Sequence, residues 1–237
     1  MTGYPTGFML ILIVFAVCLA SPAQAAEPLG PRLTFVEGAV EYKQTFRSPG
    51  VAAVVDMVIH PGSKITTGNN SRIEITLQDE SVVRIGPNSV YRTKLASFSG
   101  SKRNRFAAEL DRGRLWVRAR SSSFSNHNSF RITTPSAVLG IRGTTYDLKA
   151  NEDKSAEVSV FEGSVAVGPP PIEEGAAHEE IAWPEEVSES VWEEIILGQL
   201  QRLRIESDGE PGQTTSFSPD DEKDPWIDWN RLRDQQK

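Results

Sequence analysis

Arg72-Ile73-Glu74-Ile75-Thr76-Leu77 is followed, after Gln78-Asp79-Glu80, by Ser81-Val82-Val83-Arg84-Ile85. Ile73, Ile75 and Leu77 alternate with Arg72, Glu74 and Thr76, and Val83 and Ile85 resume the alternation beyond the break. A strand points successive side chains to opposite faces, so a period of two marks a half-buried strand. The pattern recurs further along the chain. Leu115, Val117 and Ala119 alternate with Arg114, Arg118 and Arg120, and the pairs Phe130/Ile132, Val158/Val160 and Val165/Val167 repeat it. Gly, Pro and Asn punctuate these runs, and no helical stripe of useful length lies between Leu33 and Gly168. This region is read as all-β, built from short strands in either a solenoid-like stack or a sandwich.

A weak internal echo supports corners in the chain. Gly-x-apolar-x-apolar recurs as Gly38-Ala39-Val40-Glu41-Tyr42, Gly113-Arg114-Leu115-Trp116-Val117 and Gly163-Ser164-Val165-Ala166-Val167. Each reads as a glycine corner feeding a strand.

Charge divides the sequence. The 237 residues carry 25 basic and 32 acidic side chains, a net charge of −7, which argues against a general nucleic-acid binder. Residues 27–168 hold 19 basic and 14 acidic residues, whereas 169–237 hold 6 and 18. Pro169-Pro170-Pro171 marks the changeover, a stiff segment unsuited to a central strand. Residues 169–194 read as an acidic, Pro- and Glu-rich insertion, and 207–237 as an acidic, partly disordered linker ending in the apolar hook Trp226-Ile227-Asp228-Trp229.

No charged side chain precedes Glu27. Phe8 to Ala20 is thirteen apolar residues long, short against the roughly 20 that a membrane-spanning helix needs. Ala23-Gln24-Ala25 follows Pro22 and has the small-x-small form of a signal-peptidase site. Residues 1–25 are therefore read as a signal peptide cleaved after Ala25, leaving no permanent membrane span. Cys18, the sole cysteine, lies inside it, so the mature chain has no disulfide or thiolate chemistry.

Thr134-Pro135-Ser136-Ala137-Val138-Leu139-Gly140-Ile141-Arg142-Gly143-Thr144-Thr145-Tyr146 resembles the signature of the FecR domain family. There a Thr-Pro-x-Ala segment leads through Gly-x-Arg-Gly-Thr into a strand with an aromatic residue. Phe35–Gly38, Pro61–Gly68, Ser71–Gly86, Gly113–Trp116, Phe161–Val165 and Leu197–Gln199 are similar to its other segments in order, so the resemblance covers 33–206. It implies a single FecR-like β domain. The family turns its central hairpin on Asp-Gly-Ser. Here the sequence is Asp79-Glu80-Ser81, so another turn type or a longer loop is expected. The regulators that gave the family its name carry a sigma-factor-binding segment ahead of a transmembrane helix. Only residues 1–7 precede the apolar run here, which points to a stand-alone exported member.

Candidate site residues fall into three groups. Thr134, Pro135, Gly140, Arg142, Gly143 and Thr144 are read as architecture, with the glycines forming a tight corner and Arg142 tying up backbone carbonyls. Arg114, Trp116 and Arg118 lie on one outward strand face and suit a cation–π platform or an interface for an anionic partner, such as headgroups, a cell-wall polymer or the chain's own acidic tail. Trp226 and Trp229 form a hook that docks on the β domain or on a partner, with Arg231 and Arg233 reaching acidic groups. His60, His127 and His178 are too scattered for a metal site, the Glu pairs sit on no fixed scaffold, and no nucleophile elbow or phosphate loop occurs. The reading is a non-enzymatic periplasmic or secreted protein of a Gram-negative envelope. It needs no cofactor or metal and acts in sensing, scaffolding or partner binding. The alternative is a carbohydrate- or peptidoglycan-binding module. Intact-mass or N-terminal analysis of the envelope-fraction protein is expected to give a chain beginning at Ala26, and full-length material in the membrane would mean an uncleaved anchor.

Overall fold

A computed structural model describes residues 30–98, 104–120, 129–169, 194–220 and 223–236. The expected signal peptide and residues 170–193 of the expected acidic insertion lie outside the described residues, as does the Arg142 side chain. The elements follow from strands that turn at glycine. β1 (Arg32–Glu37) passes through Gly38 into β2 (Val40–Lys43), with β3 (Val51–Ala52) returning beside it. β4 (Lys64–Thr67) passes through Gly68 into β5 (Arg72–Thr76), and β6 (Val82–Ile85) through Gly86 into β7 (Val90–Phe98). β8 (Asn104–Arg118) is followed by β9 (Ser129–Thr133), β10 (Val138–Ala150) and β11 (Ala156–Gly168). β12 (Ile195–Leu197), β13 (Gln201–Ile205) and β14 (Thr215–Ser216) precede the helix α1 (Pro225–Gln235).

The long strands change partners at their glycines. The last part of β8, from Gly113, pairs with β6 and β10, whereas its first part pairs with β7 and β9. β10 and β11 divide in the same way, and two half-sheets result. One contains β1, β5, β6, the ends of β8 and β10, the start of β11, then β13 and β14. The other contains β3, β2, β4, β7, the start of β8, β9, the start of β10, the end of β11 and β12. The first runs in chain order, as does the second apart from β3 outside β2, and among the described residues every pairing is antiparallel except β8 with β9. Buried residues from both halves, among them Ile73, Val83 and Leu115 from the first and Ile65, Tyr91 and Leu139 from the second, form one core. The architecture is a sandwich whose layers are the two halves of the same strands.

The three echoed glycines are corners: Gly38, Gly113 and Gly163 have φ of 80°, 105° and 80°. Gly163 faces the corner of the neighbouring strand, and a Cβ there would lie against the Gly143 carbonyl oxygen. Within the family motif the corner falls at Gly143, with φ of 60°, while Gly140 is an ordinary strand residue opposite Arg131 and Ala166. The central hairpin corrects one expectation. Glu80 takes the glycine's place at φ 65° without a longer loop. Leu77 and Ser81 still close the hairpin, the Asp79 carboxylate accepts from the Ser81 N–H at 3.0 Å, and Arg120 pairs with Glu80. Those contacts offset the cost of a left-handed non-glycine residue.

Gly163→Ala is expected to destabilise the domain by about 2–5 kcal/mol, from left-handed strain and overpacking together. Gly168→Ala, at an open strand end with nothing within 4 Å of the added Cβ, is expected to be near neutral in the same denaturant titrations.

Candidate functional site

The outward residues of the first half-sheet form a lateral row. Register places Phe35 beside Glu74, Glu74 beside Arg84, Arg84 beside Trp116, Trp116 beside Asp147, Asp147 beside Ser159, and Ser159 beside Arg202. These positions alternate with core residues and by pattern alone would be wet. Instead Glu74 and Arg84 are 0% exposed, Trp116 1% and Asp147 4%, because α1 lies across them.

The helix begins where Asp224 caps it, accepting from the Trp226 N–H at 2.9 Å, with Pro225 at the first position. An acidic cap and a proline that needs no donor are favourable helix starts. Trp226, Ile227 and Asn230 are buried, and with Arg233 and Asp234 they keep the spacing of one helical face. Three of those five residues are polar, so the face carries little apolar periodicity.

Each end of the helix meets charge on the sheet. Arg114 Nε donates to both Asp147 oxygens at 2.9 Å, and its Nη1 donates to Asp224 at 2.5 Å. The Trp226 indole N–H donates to Asp147 at 2.9 Å, and the ring lies against Gly86, where a Cβ would sit 3.3 Å from it. Further along, Glu74 accepts from Arg84 Nε at 2.7 Å, Arg233 Nε at 2.8 Å and Thr34 Oγ1 at 2.7 Å. Arg84 pairs with Asp234 at 2.7 Å and donates to the Asn230 backbone and side-chain oxygens. Asp234 also accepts from the Trp116 indole at 2.9 Å and lies 3.7 Å from Arg118 Nε. An aromatic belt completes the cover. Trp229 stacks on Trp226 at 5.6 Å and touches Phe35, and Trp116 packs on Phe161, which meets Phe217. The Arg72 and Arg233 guanidinium groups lie over Trp229 and Phe35 at 4.7 and 4.3 Å.

Arg114, Trp116 and Arg118 lie on one face, where Trp116 is buried under the chain's own helix rather than open to solvent, and Arg114 and Arg118 meet Asp224 and Asp234 of the acidic tail. Trp226 is buried and Trp229 partly so. Arg233 reaches Glu74, while Arg231 pairs with the exposed Asp220. In the motif, Thr134 closes a turn on Ala137 and Thr144 Oγ1 donates to the Ser164 carbonyl at 2.6 Å. Pro135 is exposed beside that turn. Sequence reasoning did not single out Glu74, Arg84, Asp147, Asn230 or Asp234. The available signal was the opposite charge of Glu74 and Arg84 across one hairpin.

Titration at the helix start runs in two directions. Burial pushes the Asp147 carboxyl up, outweighing the pull of Arg114 and Trp226. Partial burial pushes Asp224 up too, but the Arg114 hydrogen bond and charge and the Trp226 and Ile227 amides outweigh it and hold Asp224 below 3.8. Among the described residues, no three His, Cys, Asp or Glu side chains are placed to hold a metal ion, and no helix is long and apolar enough to cross a membrane.

This is a β-sandwich whose outer face recognises a helix through carboxylates, guanidinium groups and indoles. Residues 63–166, from the start of β4 into the last part of β11, match the FecR protein family. No curated protein matches the chain. Two crystal structures of a proposed anti-sigma factor from Parabacteroides distasonis ATCC 8503 are similar, each at 19% identity and a TM-score of 0.46. Each match covers 65% of this chain and 59% of that protein's.

An Asp with a depressed folded-state value stabilises the fold above its unfolded value and loses that contribution as pH falls through the folded one. Asp224→Asn keeps a capping side chain and removes the charge on Arg114. Its destabilisation is expected to be full at neutral pH and to vanish in acid below the ordinary 3.8, read from paired denaturant titrations across pH. A pH-independent difference would show that the Arg114 contact contributes nothing through charge.

Proposed function

We propose that this is an exported, non-enzymatic FecR-domain protein that works in the cell envelope by binding a protein partner, in a sensing or scaffolding role. The observation that carries the reading is the outer face of the first half-sheet. It holds a helix by paired carboxylates and guanidinium groups, two indole N–H donors and an aromatic belt. Such a surface suits polypeptide, because charged pairs fix orientation and register while the aromatic residues supply buried area. The FecR match over 63–166 supports the same class of function. A carbohydrate-binding module would need Trp116, Arg114 and Arg118 open to a polymer, and α1 covers Trp116.

Cross-linking of the tagged mature chain in envelope extracts, followed by affinity capture, is expected to yield a defined protein adduct. Co-sedimentation with purified peptidoglycan in place of such an adduct would overturn the reading in favour of the polymer.

A further inference from the structure

Two features make α1 separable from the sandwich. Its apolar contacts form a cluster of their own, in which Trp116, Trp226 and Ile227 pack with Phe161 and Trp229, apart from the main core. The helix can leave without opening the space between the half-sheets. The floor beneath it is charged, and its principal pairs, Glu74 with Arg84 and Arg114 with Asp147, are made within the sheet itself. An uncovered floor therefore keeps its internal partners and gains water. Interfaces that open and close are more polar than permanent ones. The resident is also weak by itself, since an eleven-residue helix is marginal in isolation.

What α1 supplies defines what the floor recognises. A carboxylate at the helix start meets Arg114, and an indole in the first turn fills the seat at Gly86 and donates to Asp147. A second carboxylate, about 15 Å on at 1.5 Å rise per residue, meets Arg84 and the Trp116 indole.

We propose that this face is a docking groove for a helix of a partner protein, one bearing a first-turn tryptophan and carboxylates at both ends, and that α1 is a self-supplied occupant which the partner displaces. The inference rests on the protein-partner reading above and names its surface. Charge complementarity commits the occupant, because the groove floor offers Arg84, Arg114 and Arg118 to two carboxylates set apart along one helix face.

The test uses a fluorescein-labelled peptide of residues 223–236 as probe, with anisotropy read against the full mature chain and two variants. Trp226→Ala loosens α1 at its seat. Leu232→Pro breaks the helix at a position that is 60% exposed. If α1 occupies the groove nine-tenths of the time, either variant is expected to bind the probe about tenfold more tightly than the intact chain. Adding Arg114→Ala to the Leu232→Pro chain should abolish that gain. Variants that stay folded by circular dichroism yet bind no better than the intact chain would overturn the proposal. So would a concentration-dependent dimer that exchanges α1, which would give the groove to a second copy. An envelope partner captured equally by the intact chain and by the variants would overturn the groove while leaving partner binding intact. Peptide exchange with no cross-linked envelope protein would support the groove and count against the wider reading.

Discussion

Glu74 and Arg84 face each other on the outer side of a hairpin whose inner side is isoleucine and valine, and neither side chain touches water. Ionised groups removed from water are costly unless their remaining donors and acceptors are met. Here they are met largely from one place, the end of α1, through Arg233, Asn230 and Asp234. The pair and the helix are therefore interdependent. Without α1 the pair is an ordinary solvated cross-strand contact, and without the pair the end of the helix keeps only the more distant charge of Arg118. At the other end Arg114 and Asp147 play the same part toward Asp224 and Trp226.

The sandwich beneath depends on a different constraint. Folding long strands across themselves requires the backbone to bend where neighbouring strands also bend, and side chains cannot fit at such a line of corners. Gly143 and Gly163 show this directly, since the carbonyl of one occupies the space a side chain on the other would need. The Arg-Gly-Thr segment of the family motif is thus tied to the glycine of the following strand, and Thr144 fastens the same corner to Ser164.

The strands were legible because the inner face of each half-sheet is apolar and writes a period of two, as in Ile73, Ile75, Val83 and Ile85. The corners at Gly38, Gly113 and Gly163 were legible as an echo. The cover was not. Outward positions occupied by Glu74, Arg84, Arg114 and Asp147 read the same in sequence whether they face solvent or a charged helix, because both environments accept charged residues. The helix was obscured for the matching reason: Asn230, Arg233 and Asp234 stand where an amphipathic helix would carry apolar residues. Trp116 consequently read as an exposed platform when it is the floor of an occupied groove.

The two kinds of contact also differ in reach along the chain. The half-sheets pair strands largely in chain order, so most of the sandwich can assemble by adding each bent strand to its predecessor. The contacts of α1 return across far longer distances, joining residues separated by 146 positions at Arg84 and 159 at Glu74. Closing so long a span has an entropic cost that is recovered only once the receiving surface exists. A helix made after the strands it covers therefore settles on some of the first of them, and its seating signals that the sheet below it is complete.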